Sequence, residues 1–231
     1  MSPYDLGSAA IDVSRAVAGS FTAIRHTYTV GHPIDDTGFL LIVFRSVGDF
    51  GAPQFDDPNA TNYCPVFTTG DCRIEPRWDP KGYIRPWSRA LYLKVMGGFL
   101  NTGEQIVVTF GDRSGGSPGW RMQTFCEDTF EFKTFVDPIA SYQFKELPAS
   151  PTLQIVPGEP AKAVCIAPSQ ATTGAPLSCH LKLEDRWGNP TAEPASLTHP
   201  GFADAGIYTV AATDPVTGLT AESNPIEVLD E

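Results

Sequence analysis

The sequence predicts an all-β protein built from two β-sandwich domains, the second immunoglobulin-like. Three observations carry this expectation. Apolar runs of strand length recur throughout the 231 residues. Gly and Pro, 21 of each, are spread between those runs and mark turns. Charged residues make up only 19% of the chain against 42% hydrophobic. That is below the usual charged quarter, which excludes a coiled coil and a disordered chain and leaves enough apolar mass for a core.

Taken in order, the first segment is the weakest. A helix fits only at Ser8–Ala18, where the apolar pattern is poor. "SFTAIRHTYTVG" alternates and places Ile24, His26, Tyr28 and Val30 on one face of a strand, with Arg25, Thr27 and Thr29 on the other. "FLLIVFR" is continuously apolar and reads as a central strand covered on both faces. "ALYLKVM", "EQIVVTF" and "TFEFKTFV" follow as further strands. Between Gly48 and Pro86 the chain is long and irregular. Compact domains seldom hold such a loop without a role for it, so it either carries function or hides short edge strands.

The composition shifts near Pro148. "LPASPTLQIVPGEP" reads as a Pro-rich hinge, dividing residues 1–148 from residues 149–231. Beyond it, "AKAVCIAP", "LSCHLKLED", "GIYTVAATD" and "NPIEVLD" alternate with turn signals such as "DRWGNP". This is the pattern of a small immunoglobulin-like sandwich, with Tyr208 tucked into a late strand.

The charge balance, 16 Lys and Arg against 27 Asp and Glu, gives a net charge of −11. An acidic chain repels phosphate backbones, so no nucleic-acid partner is expected. The longest apolar stretch, "GFLLIVF", is too short to span a bilayer and no basic run suggests a membrane surface. The N-terminus shows no basic and apolar leader pattern, which predicts a cytoplasmic location. The five cysteines, Cys64, Cys72, Cys126, Cys165 and Cys179, are odd in number and form no CxxC pattern. They are expected as free thiols, with Cys165 and Cys179 buried in strands and Cys64–Cys72 the one pair that could close a loop.

The stretch "TFGDRSGGSPGWRMQTF" (109–125) concentrates four glycines between two apolar runs. A phosphate loop would need GK[ST] and a following helix. Here the lysine is missing and a strand-like alternation follows. The stretch therefore reads as a strand connection whose glycines supply positive φ. Within it, Asp112, Arg113, Trp120 and Arg121 are candidates for a contact surface. Their rival fate is internal, with Arg113 or Arg121 paired to Asp112 or Glu127 and the indole packed. "YIRPWSR" adds Arg85 and Trp87 to the candidates, because Arg and Trp dominate binding hot spots. Its plainer reading is a turn onto "ALYLKVM". The acidic doublets Asp35–Asp36 and Asp56–Asp57 are weak candidates for hard-cation ligands, without EF-hand spacing, and otherwise cap turns. His26, His32, His180 and His199 form no metal-binding pattern, and no GxSxG elbow is present.

The combination "GHPIDDTGFLLIVFR", "GAPQFDDPNATNY", "GYIRPWSRALYLKV", "GDRSGGSPGWRMQTFCEDTFEF" and "LEDRWGNP" resembles the N-terminal β-sandwich region of a large bacterial family. Members of that family continue into a domain similar to the PHP-type metal-dependent hydrolases. The resemblance covers nearly the whole chain and assigns no catalytic residue within it. It implies that metal-binding histidines lie beyond a segment like "LTAESNPIEVLDE", where this chain stops. It also implies that any divalent metal belongs to a partner domain, with no cofactor in this chain.

The expected function is therefore a noncatalytic sandwich module or subunit that packs against a metal-dependent catalytic domain and shapes its site. One rival is an enzyme in its own right, using carboxylates and arginines of the long loop and the Gly-rich stretch. Another is a carbohydrate- or ligand-binding sandwich using Trp78, Trp87 and Trp120. Fold alone separates none of these.

Overall fold

The computed structural model describes residues 5–230. No helix occurs among them, and the chain divides into two compact units, Met1–Val156 and Pro157–Glu231. The division thus falls after Val156, eight residues beyond the hinge expected at 148/149.

The first unit holds strands β1 (Ser8–Ile11), β2 (Arg15–Val17), β3 (Phe21–Thr22), β4 (Ile24–Thr29), β5 (Phe39–Phe44), β6 (Val66–Thr68) and β7 (Arg73–Asp79). It continues with β8 (Arg89–Met96), β9 (Gln105–Phe110), β10 (Trp120–Arg121), β11 (Glu127–Glu131), β12 (Lys133–Asp137), β13 (Lys145–Glu146) and β14 (Thr152–Val156). The helix entertained at Ser8–Ala18 is instead β1 and β2. β1 pairs antiparallel with β4 in the register Ser8↔Thr29 to Ile11↔His26, and β2 pairs with β14. Tertiary pairing overrides a weak local pattern here.

Two sheets make the sandwich. One runs β1-β4-β9-β6 and the other β13-β12-β5-β8-β7. Ile24, Tyr28, Ile106, Val108 and Phe110 of the first meet Leu40, Ile42, Phe44, Leu91 and Leu93 of the second in the main core. The alternation predicted for β4 holds, since Ile24, His26, Tyr28 and Val30 are all buried. All six residues of β5 are buried, as its unbroken apolar run requires. Leu41 and Val43 face away from the main core and pack with Ala90, Phe135, Tyr83, Trp87, Tyr92 and Phe144. A cover on the outer face of the sheet therefore explains why β5 has no polar side.

"TFEFKTFV", expected as one strand, is split at Phe132. β11 pairs with β14 while β12 pairs with β5, so the chain changes sheets there. The long segment 48–86 contains β6 and β7, each an edge strand of a different sheet. Pro76 within β7 sits opposite Leu93. An edge tolerates a residue without an N–H.

His26 lies in the main core, fully buried, 6.0 Å from the Phe132 ring. The Thr134 hydroxyl donates to the Phe132 carbonyl at 2.7 Å. Its oxygen must therefore accept from His26 Nε2, 3.3 Å away. Nδ1 is left without a partner. Burial pushes the imidazole pKa down to about 4, only partly opposed by its own backbone carbonyl. The ring is a neutral core element.

The second unit holds β15 (Lys162–Ile166), β16 (Gln170–Thr172), β17 (Leu177–Glu184), β18 (Ala195–His199), β19 (Gly206–Tyr208), β20 (Ala211–Thr213), β21 (Thr220–Glu222) and β22 (Ile226–Leu229). Sheet β15-β17-β18 faces β16-β22-β19, with β20-β21 as a separate ribbon. Cys165, Cys179 and Leu181 meet Val210, Ile226 and Val228 in a core of its own. This is a small immunoglobulin-like sandwich. Tyr208 is half-buried and stacks on Phe202 at 4.2 Å. The turn "DRWGNP" is built around the buried Asp185 carboxylate, which accepts the amides of Trp187 at 2.8 Å and Asn189 at 2.9 Å. No disulfide forms among the described residues, and Cys64, Cys165 and Cys179 are buried. Burial pushes all three of these thiols up.

Candidate functional site

The residues predicted to share a contact surface do not form one exposed patch, although Arg113 and Arg121 both lie against Phe21. Trp120 is fully buried among Phe44, Phe50, Phe110 and Phe132, and its Nε1 donates to the Gly51 carbonyl at 2.6 Å. It is a core indole with its one donor satisfied. The platform of Trp78, Trp87 and Trp120 considered for carbohydrate is therefore not formed. Arg113 is exposed, yet its guanidinium donates to the Phe21 carbonyl at 2.6 Å. Arg121 donates to the Asp49 carbonyl. Neither takes the acidic partner, Asp112 or Glu127, that the rival internal reading offered it. Asp112 accepts from the Ser114 hydroxyl at 2.7 Å, and Glu127 accepts from the Gln123 amide at 2.9 Å, with Arg45 at 3.8 Å.

The Gly-rich stretch is a docking strip for the long loop. Gly111 and Asp112 donate their amides to the Tyr63 carbonyl, Ser117 to Pro58, and Gly116 to Arg113. The amides of Ser114 and Gly119 go to side-chain oxygens of Asp112 and Ser117. A phosphate cradle needs free amides, and here six are committed. Beside the strip, partial burial pushes the Asp49 carboxyl up. The Thr124 hydroxyl (2.7 Å) and amide (2.8 Å), together with the nearby Arg121 guanidinium, outweigh that and hold it below the usual carboxylate range.

One carboxylate of each acidic doublet is occupied by a backbone amide. Asp36 accepts the Gly97 amide at 2.9 Å, and Asp57 accepts the Asn59 amide at 2.9 Å. The Asp56 amide donates to Gln54 at 3.0 Å, and the Asp35 carbonyl accepts from Gly38 at 2.9 Å. No group of three or more His, Cys, Asp or Glu side chains among the described residues is arranged to hold a metal ion.

What remains is "YIRPWSR", and both of its readings describe it. It is the connection from β7 to β8, and it lines a groove. The Tyr83 amide donates to Ser88 at 3.2 Å and Trp87 to Ile84 at 2.9 Å. Tyr92 donates its hydroxyl to Gly82, so the loop is closed and fixed on the sheet. Trp87 turns onto the outer sheet face, with Arg45 and Lys133 at 5.3 and 5.2 Å from its ring. Both cation contacts already engage that indole. Arg85 stays exposed at the tip beside Ile84, which is 73% exposed.

The groove measures about 710 Å³ and lies at the β7–β8 connection of the first unit, with Ser46 and Ala52 on its other side. Trp78, Lys81, Tyr83, Arg85 and Arg89 line it. Trp78 is half-buried, its ring packed against Phe44 and Phe50, and Tyr83 packs on Phe135 at 5.3 Å. Arg89 lies 5.0 Å over the Phe50 ring. Among the described residues, Lys81, Arg85 and Arg89 make no ion pair. The neighbouring carboxylate, Asp79, is already taken by the Lys81 amide at 2.9 Å and by Arg77 at 3.1 Å. Those contacts, the Lys81 amide first, hold its pKa below the usual range. Three unpaired cations thus meet two aromatic rings in a chain of net charge −11.

No protein-family model matches the chain, and no curated protein matches it. Solved structures similar to it include the Yersinia pseudotuberculosis adhesin InvE. That match has 8% identity and a TM-score of 0.30, over 96% of this chain and 58% of that one. A type II cohesin dyad from the adaptor ScaA scaffoldin of Acetivibrio cellulolyticus matches at 10% identity and a TM-score of 0.33, over 92% of this chain and 65% of that one. The chain therefore spans less than two thirds of either. Likenesses this remote say nothing about ligand or activity. No described helix is long and apolar enough to cross a membrane.

Sequence reasoning found Arg85 and the loop that carries it, but not Lys81 or Arg89 as its companions. The available signal was the pair of cations flanking "GYIRPWS" (82–88). It becomes legible once β7 and β8 are known to form a hairpin.

Proposed function

We propose that the chain is a noncatalytic β-sandwich recognition module whose first unit binds its partner through the groove at the β7–β8 hairpin. One observation carries the reading. Lys81, Arg85 and Arg89, none of them ion-paired among the described residues, converge beside Trp78 and Tyr83 on a loop fixed by its own hydrogen bonds. Arg and aromatic side chains on a preorganised backbone are the composition of a binding hot spot. The family resemblance suggests the partner: a PHP-like metal-dependent catalytic domain, in the same polypeptide or a separate one, whose site the module shapes.

The test is affinity capture from the organism that carries the gene, with wild-type chain and with Arg85→Ala/Arg89→Ala as baits. The proposal expects a PHP-like metal-dependent protein to be retained by wild type and lost from the variant at unchanged melting temperature. Retention of the same proteins by both baits would remove the groove from the function.

A further inference from the structure

We infer that the groove takes an acidic polypeptide segment, with carboxylates seated on Lys81, Arg85 and Arg89 and an apolar side chain against Trp78 and Tyr83. This deepens the reading above and rests on it. The argument begins with charge. The second unit carries three Lys and Arg against ten Asp and Glu, so most of the basic residues lie in the first unit. Several of those are consumed. Arg113 and Arg121 hold backbone carbonyls, Arg45 and Lys133 flank Trp87, and Arg77 holds Asp79. Lys81 and Arg85 have no such duty, Arg89 is held over the Phe50 ring but makes no ion pair among the described residues, and the adjacent carboxylate is already satisfied. Cations left together without counter-charge form a positive site that steers and orients an anionic partner.

Shape selects a polypeptide among anions. The groove is about 710 Å³ and open on one side, whereas a small anion is held in an enclosing pocket that buries most of its surface. An acidic sugar would need a flat aromatic platform. Trp78 and Tyr83 are half-buried, with their rings packed against Phe44, Phe50, Phe135 and Phe144. Trp87 is occupied by Arg45 and Lys133. The aromatic surface left beside the cations suits a single apolar side chain. Two guanidiniums offer bidentate seats for Glu or Asp carboxylates.

Fluorescence anisotropy with a labelled hexaglutamate peptide, at low salt and on the full chain, tests this. The peptide should bind, and its affinity should fall with rising salt. Arg85→Glu/Arg89→Glu should weaken it by on the order of tenfold or more. Arg15→Glu/Arg25→Glu, which changes net charge equally at exposed positions of β2 and β4 that do not line the groove, should leave it within about twofold. Arg85→Gln/Arg89→Gln serves as the second groove variant if the charge reversal unfolds the chain, and the same loss is expected of it. Equal weakening by both charge pairs would mean diffuse electrostatics and would overturn the inference, as would no binding at all. Tighter binding of hexagalacturonate, or displacement of the peptide by equimolar phosphate, would also overturn it. Those last two results would leave the groove standing as a binding site for a different anion, so they are distinguishable from a failure of the capture experiment.

Discussion

Asn62 and Arg121 are joined by a hydrogen bond in which the Arg121 amide donates to Asn62 Oδ1 at 3.0 Å. The Asn62 amide in turn donates to Gly119 at 2.9 Å. Asn62 is left-handed, with φ of 65°, a conformation Asn and Asp reach more cheaply than other L-residues. One residue therefore ties the long loop to the end of the Gly-rich strip. Asn62→Ala removes the acceptor and keeps the strained backbone, and should lose about 2 kcal/mol in urea unfolding. Asn62→Asp keeps both the acceptor and the tolerance, and should stay within about 1 kcal/mol. Equal losses would show that Oδ1 is not the stitch.

The glycines of the strip should rank by what a methyl group would meet. At Gly111, with φ of 72°, a Cβ would lie 1.9 Å from the Trp120 amide nitrogen and 2.5 Å from the Thr22 carbonyl oxygen. Backbone on both sides cannot yield, so Gly111→Ala should cost more than about 3 kcal/mol. At Gly116, with φ of 105°, the nearest atom is the Asn59 side-chain oxygen at 3.0 Å. There the cost is mainly conformational, about 1–2 kcal/mol. Melting temperatures of the two alanine variants check the order, and a milder effect at Gly111 would contradict the packing.

His26 makes stability depend on pH. Its folded pKa is about 4 against about 6.5 in the unfolded chain. Between those values the unfolded chain takes a proton that the folded one refuses. The contribution is full above pH about 6.5, falls as pH drops toward 4 and is flat below, amounting to about 3 kcal/mol. In urea titrations the stability of wild type relative to His26→Leu should therefore fall by a few kcal/mol between pH 7 and pH 4. A pH-independent difference would mean the imidazole is not held neutral.

A stabilising substitution is available after β12. The buried Asp137 carboxylate accepts the Ser141 amide at 3.0 Å, the Ser141 hydroxyl at 2.9 Å and the Tyr142 amide at 2.5 Å. These bonds hold Ala140 at φ of 54° and Tyr142 at 58°. Ala140→Gly relieves a left-handed Cβ and should gain about 0.5–1 kcal/mol. Asp137→Ala frees three donors and should lose about 3 kcal/mol. A loss in Ala140→Gly would show the methyl to be needed for packing.

Much of the sandwich was legible because burial writes itself into periodicity. β4 alternates since one of its faces is core, and β5 does not since both are. β6 and β7 were hidden because edge strands need less apolar content and tolerate a breaker. Pro76 reads as a stop but sits in a seven-residue strand. β10 is two residues long, too short for any period, which is why Trp120 looked available as a surface residue. The groove was half legible. Arg85 and its loop were visible, but the companionship of Lys81 and Arg89 depends on a hairpin that local sequence did not announce.

The pairing of β2 with β14 is parallel, in the register Gln154↔Arg15 to Val156↔Val17, and Leu153 and Ile155 join Ala16 in the main core. The last strand of the first unit thus closes on nearly its first. A chain emerging from the ribosome can align β4, β5, β8 and β9 as they appear, yet it must hold the core open at the β2–β11 gap until Val156 is free. Until that closure apolar surface is uncovered, the condition in which partly folded chains are prone to aggregate.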